Sequence, residues 1–118
     1  MTENRRATGE RLESIAAALL TDNGYVIRER NYRQKSGEID IIAVDGKWLV
    51  FVEVKYRRRG TVGAPEAAVD RRKQAHIYRT AQWYLKEHKI PFTHPCRFDV
   101  VSIGPGSVKL IRNAFGGM

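Results

Sequence analysis

The sequence has a single cysteine, Cys96, among its 118 residues. One thiol forms no intramolecular disulfide and no cysteine-rich zinc site, so disulfide-stapled secreted scaffolds are excluded and a reducing compartment is expected. Long apolar runs are missing as well. The longest, Ala16–Leu20 and Trp48–Val52, fall far short of the roughly 20 residues a membrane-spanning helix needs. The charges of Met1 to Glu10 are followed by no apolar stretch of the kind a secretory signal carries. His76, His88 and His94 lack the spacing of a zinc motif, and Gly104-Pro105-Gly106 signals a turn rather than a phosphate-binding loop. The expectation is one cytoplasmic domain over residues 1–118, with 1–9 flexible and no membrane association.

Acid is scarce relative to base. There are 13 Asp and Glu against 21 Lys and Arg, a formal net charge of +8 and an isoelectric point near 10.0. A small domain this basic attracts polyanions, nucleic acid first.

What is present has clear periodicity. Leu12, Ile15, Ala16, Leu19 and Leu20 recur at helical spacing, and Asn23-Gly24 supplies a stop. A strand starting at Tyr25 runs into the charged segment Arg28–Arg33, and Glu38–Val44 is a second, rich in β-branched residues. Asp45-Gly46 is a turn signal, so Lys47–Tyr56 should pair antiparallel with it. Pro65 and Glu66 suit the first turn of a long helix whose buried stripe is Ile77, Tyr78, Ala81, Tyr84 and Leu85 and which ends near Lys89–Pro91. Arg97–Ile103 and Val108–Ile111 are the last strands. The order α-β-β-β-α-β-β is that of a small α/β domain with a mixed sheet flanked by helices, its parallel pair joined across the long helix.

Two of these strands carry charges where burial is expected: Asp40 between Ile39 and Ile41, and Glu53 and Lys55 within Phe51–Val54 and beyond. Isolated buried charges are expensive, so these should share a polar site or face solvent. If Val44 pairs with Lys47, Asp40 lies diagonal to Glu53; if Val44 pairs with Leu49, the two lie directly opposite. Either register puts them on one face, with Glu38 beside them. Paired carboxylates repel unless a cation lies between them, and hard oxygen ligands favour Mg²⁺ or Mn²⁺. A neighbouring lysine can orient a water and stabilise charge on a phosphate. The plainer alternative is a solvated hairpin face that merely contains opposite charges. Glu13, at the edge of the first helix's apolar stripe, could reach the same place.

The segments Gly37-Glu38-Ile39-Asp40 and Phe51-Val52-Glu53-Val54-Lys55 resemble the D…E-x-K core of the PD-(D/E)XK nuclease superfamily. More closely, the ordered set Glu13…Ala16…Leu20…Gly24-Tyr25, Asn31-Tyr32-Arg33, Gly37–Ile41, Phe51–Lys55, Lys73 and Arg97–Val101 resembles the YraN family of bacterial proteins, related to archaeal Holliday-junction resolvases. Ile39 stands where the superfamily typically has proline. The resemblance implies a restriction-endonuclease-like fold with Asp40, Glu53 and the Val54 carbonyl as metal ligands. It makes Lys55 the residue that positions the attacking water, and Glu13 a carboxylate acting at the metal directly or through water. A homodimer follows from the resolvase analogy alone.

Basic residues gather around this site: Arg28, Arg30 and Arg33, then Arg57, Arg58 and Arg59, then Arg71, Arg72, Lys73 and Arg79. Phosphate contact is expected of Arg33, Arg57, Arg58, Arg59 and Lys73, positioning a backbone without reading bases. Arg97 and Asp99 share a strand face and suit a structural ion pair. The leading expectation is a Mg²⁺- or Mn²⁺-dependent endonuclease acting on structured or branched DNA. The alternative is a non-catalytic nucleic-acid-binding module on the same fold; an interaction protein with a basic face ranks third.

Overall fold

The computed structural model describes residues 4–57 and 69–116, with side chains from Thr8 onward. The elements are α1 (Asn4–Asp22), β1 (Val26–Gln34), β2 (Gly37–Asp45), β3 (Trp48–Tyr56), α2 (Arg71–Glu87), β4 (Cys96–Gly104) and β5 (Ser107–Phe115). They form the expected α-β-β-β-α-β-β order. The strands make one mixed sheet in the order β1-β2-β3-β4-β5, in which β3 and β4 are parallel across α2 and every other pair is antiparallel.

Both faces of the sheet's centre are buried. On one, Ala16 and Leu20 of α1 pack on Ile41, Ala43, Val50, Val52, Val101 and Ile103. On the other, Ile77, Ala81, Tyr84 and Leu85 of α2 pack on Ile42, Leu49 and Phe51. This two-sided burial is why β2 and β3 are almost continuously apolar. Strict alternation would place Ile39 with Ile41 under α1, yet Ile39 joins the α2 cluster. Alternation therefore breaks between them, at Asp40.

Three boundaries differ from the periodicity. α1 reaches back to Asn4, so residues 4–9 belong to the helix. They carry no apolar stripe to announce a helix, although Arg and Ala are good helix formers. α2 begins at Arg71, capped by Asp70, whose side chain accepts the Lys73 amide at 2.8 Å; Pro65 and Glu66 lie outside the described residues. β5 extends past Ile111 to Phe115, which stacks on Phe98 with ring centroids 5.3 Å apart.

The expected Arg97–Asp99 pair is present inside a larger polar knot. Asp99, fully buried, accepts from Arg97 at 2.8 and 2.9 Å, from the Tyr25 hydroxyl at 2.6 Å and from the Asn113 amide at 2.9 Å. Arg97 also reaches Asp45 at 2.8 Å. Burial first, then the hydrogen bond to Asp99, pushes the Tyr25 phenol up to about 12. The knot ties α1's exit, the β2–β3 turn and β5 together, and every charge in it has a partner.

Candidate metal centre and nucleic-acid interface

The β2–β3 ladder runs from Asp45↔Trp48 through Val44↔Leu49 to Ile41↔Val52. Of the two registers open from sequence, this is the one in which a further step sets Asp40 directly opposite Glu53. The turn residues are Gly46 and Lys47, one position later than the Asp45-Gly46 signal suggests, with Gly46 in the left-handed region at φ 60°. Where the ladder ends, Asp40 Oδ2 accepts the Val54 amide at 2.8 Å. A side chain thus meets the neighbouring backbone where the two strands part.

Glu53 is buried, and its carboxylate lies within hydrogen-bonding reach of Asp40. Burial, and after it the negative charge of Glu53, raises the Asp40 carboxyl far above the ordinary carboxylate range; the Val54 amide and Lys73 pull the other way. The amine that ion-pairs with Glu53 is Lys73, from the first turn of α2. Burial lowers the Lys73 ammonium, but its hydrogen bond to Glu53 and the charges of Glu53 and Asp40 outweigh that and raise it. Lys55, two positions beyond Glu53 on β3, is half-buried and holds contacts of its own.

Glu13 and Glu38 converge on Asp40 from α1 and β2. One carboxylate oxygen from each of the three residues lies within 4.8 Å of the others. A close set made only of carboxylate donors suits a hard divalent cation. Glu13 is fixed by the Asn31 side-chain amide at 2.9 Å and by Arg30 at 3.6 Å. Asn31 has φ 56°, a left-handed conformation that asparagine tolerates better than most residues, and its amide joins Arg30 in linking β1 to α1. Glu38 is paired with Arg33 at 3.1 Å. An open cleft of about 340 Å³ lies over these groups, lined by Gly37, Glu38, Asp40, Glu53, Asp70, Arg72, Lys73 and His76 among others. Gly37, at φ 144°, sits where a Cβ would come 3.3 Å from that of His76.

The basic residues divide. Arg72 and Lys73 face the cleft, and Arg33 stands at its rim on Glu38. Arg57 is anchored within the protein. Its Nε donates to Ser102 Oγ at 2.8 Å and its Nη2 to Ser107 Oγ at 3.2 Å, so its guanidinium braces the β4–β5 hairpin. Arg58 and Arg59 lie outside the described residues. Tyr32 is buried and donates to Glu87, whereas Tyr56 is exposed.

Sequence reasoning gave no role at the centre to Asn31, Asp70 or His76, and no metal-ligating role to Glu38. A signal existed for Glu38, which shares strand parity with Asp40. None existed for Lys73 at Glu53, because that contact depends on how α2 crosses the sheet.

A family model described as "Uncharacterised protein family UPF0102" matches residues 12–103. The chain belongs to this family, the YraN family. This UPF0102 chain is 46% identical over 112 residues to a UPF0102 protein of Lachnoclostridium phytofermentans, covering 95% of each chain. It is 49% identical over 117 residues to one of Symbiobacterium thermophilum, covering 93% of this chain and 97% of that one. A UPF0102 protein of Stutzerimonas stutzeri is 44% identical over 119 residues, with 98% of both covered. The match takes in Glu13, Glu38, Asp40, Glu53 and Lys73, so the whole acidic cluster lies within the family's common region.

Proposed function

We propose that the protein is a Mg²⁺- or Mn²⁺-dependent endonuclease of the PD-(D/E)XK type that hydrolyses phosphodiester bonds in structured or branched DNA. The observation carrying this reading is the meeting of Asp40, Glu53, Glu13 and Glu38 at the β2–β3 fork, beside the cationic first turn of α2. Asp40 and Glu53 would hold the ion, with the Val54 carbonyl alongside. Glu13 and Glu38 would complete the oxygen set directly or through water. When bound, the ion supplies the charge that polarises the phosphate and acidifies a water. Lys55 orients the attacking water and meets the negative charge that develops on the phosphate.

The first turn of α2 supports a polyanionic substrate. Arg71, Arg72 and Lys73 are consecutive there, three cations against the Asp70 cap and the Glu53 partner of Lys73. Cations are unfavourable at a helix N-terminus, whose dipole already presents positive charge, and phosphates relieve the conflict. A sequence-blind backbone grip of this sort suits a structure-selective enzyme.

The test is a panel of duplex, flap, fork, four-way junction and RNA substrates assayed with Mg²⁺ and Mn²⁺. Cleavage of branched DNA that disappears in Asp40→Asn, Glu53→Gln and Lys55→Ala, with binding retained, supports the enzyme. Tight, salt-sensitive binding with no cleavage under either metal supports the second reading, a non-catalytic module. Sedimentation of the protein with and without a four-way junction tests the homodimer that a two-fold substrate would suit.

A further inference from the structure

We propose that Lys73 is an internal counterion of the acidic pair, which a divalent cation must displace and thereby release toward the phosphate-facing mouth of the cleft. The inference rests on the cation-binding reading of Asp40 and Glu53 and goes on to say how the site is held before an ion enters.

Competition for Glu53 is the first argument. The Lys73 ammonium is ion-paired with Glu53 Oε2, and the Glu53 carboxylate lies within hydrogen-bonding reach of Asp40. A divalent ion held between the two acids needs the carboxylate oxygens that the ammonium occupies, so the two cations compete for Glu53.

Mobility is the second. The Glu53 side chain is 7% exposed and the Lys73 side chain 52% exposed. The carboxylate is fixed among packed strands while the lysine stem lies at the cleft wall and can turn without repacking the core. The Lys73 backbone does not move with it, because its amide is held by the Asp70 cap at 2.8 Å. A released ammonium therefore swings about a fixed Cα and joins the side chains of Arg71 and Arg72 on the same helical turn. Ion loading and phosphate binding become coupled: the ion that completes the centre also adds a free cation to the substrate-facing surface.

The test reads the amine, not turnover. The full chain is labelled with a limiting acylating reagent in the absence of divalent ions and again with saturating Mn²⁺ or Ca²⁺, and each lysine is quantified by mass spectrometry. Lys73 should react at least about tenfold more slowly than the exposed Lys47, Lys86 and Lys89 without the ion, and reach their rate with it, while those three stay unchanged. Glu53→Gln should leave Lys73 fast under both conditions. In parallel, calorimetry with Mn²⁺ should show Lys73→Gln binding about tenfold more tightly than the parent, and Asp40→Asn binding no ion. If Lys73 is as reactive as the exposed lysines without the ion, or stays slow at saturation while Asp40→Asn abolishes binding, the counterion role is overturned and the cation site stands. If the parent and Lys73→Gln both bind no Mn²⁺, the cation site itself fails and the counterion role falls with it.

Discussion

Asp40 Oδ2 accepts the Val54 amide at 2.8 Å, fastening a β2 carboxylate to the β3 backbone where the two strands separate. This bond separates two properties that usually travel together. It fixes the side chain in place, yet it does not relieve the charge, since burial and Glu53 still oppose ionisation. Asp40→Asn should therefore keep the geometry, with the amide oxygen taking Val54's hydrogen bond, and remove the repulsion. We expect the ion-free protein to gain about 1 kcal/mol at pH 8 in urea unfolding, while branched-DNA cleavage is lost. Asp40→Ala should instead lose stability, because Val54's amide is left without this acceptor. Equal destabilisation by both substitutions would contradict the account.

The same group sets a pH dependence. The folded state binds the Asp40 proton more tightly than the unfolded chain, so the stabilisation from this proton is complete below the ordinary carboxylate pKa near 4. It is lost as pH rises through the folded-state value of about 8. Ion-free stability should fall across that window by no more than about 1.4 kcal/mol per pH unit. Mn²⁺ affinity should rise over the same range, because the ion competes with the proton. Unfolding curves and calorimetry at pH 5, 7 and 9 measure both, and Asp40→Asn should flatten the stability profile.

The legible part of the molecule is the part governed by local periodicity. The β-branched run Glu38–Val44, the Asp45-Gly46 turn signal and the apolar stripes of both helices were sufficient for element order and for the parallel β3–β4 pair. Asp40 and Glu53 stood out because charges interrupted apolar strands. What stayed hidden depends on packing angles and local breaks in pattern. Lys73 reaches Glu53 only because α2 crosses the fork, and Glu13 is aimed by Asn31 through a left-handed residue that no periodicity marks. For Arg57 the sequence records its charge and not the two serine hydroxyls of the β4–β5 hairpin that hold it.

Asp99 offers a contrast with the acidic cluster, since it is more deeply buried and fully answered. Its partners are Arg97, Tyr25 and the Asn113 amide. Asp99→Ala leaves Arg97 facing Tyr25 with much of its counter-charge removed and should cost about 3–5 kcal/mol. Tyr25→Phe removes two hydrogen bonds to charged groups, the one its hydroxyl donates to Asp99 and the one it accepts from Arg97, and should cost about 3 kcal/mol. Chemical denaturation measures both. Cleavage and DNA affinity per folded molecule should be unchanged in Tyr25→Phe, and a selective loss of either would reassign the knot from structure to function.

Gly104 tests how Arg57 is held. A Cβ on Gly104 would lie 2.6 Å from Arg57 Nη2 and 2.9 Å from Cζ. The guanidinium is the end of a flexible chain and can leave, but it then forfeits Ser102 and Ser107, so Gly104→Ala should cost about 1–2 kcal/mol. Arg57→Ala should cost a similar amount by the same loss. Because both substitutions break one interaction, the double variant should be scarcely less stable than Arg57→Ala alone. Arg57→Ala should also leave the slope of log affinity against log salt for duplex DNA unchanged, whereas Arg72→Ala should lower it by about one. A lowered slope for Arg57→Ala, with additive costs in the stability cycle, would place Arg57 on the phosphate-binding surface instead.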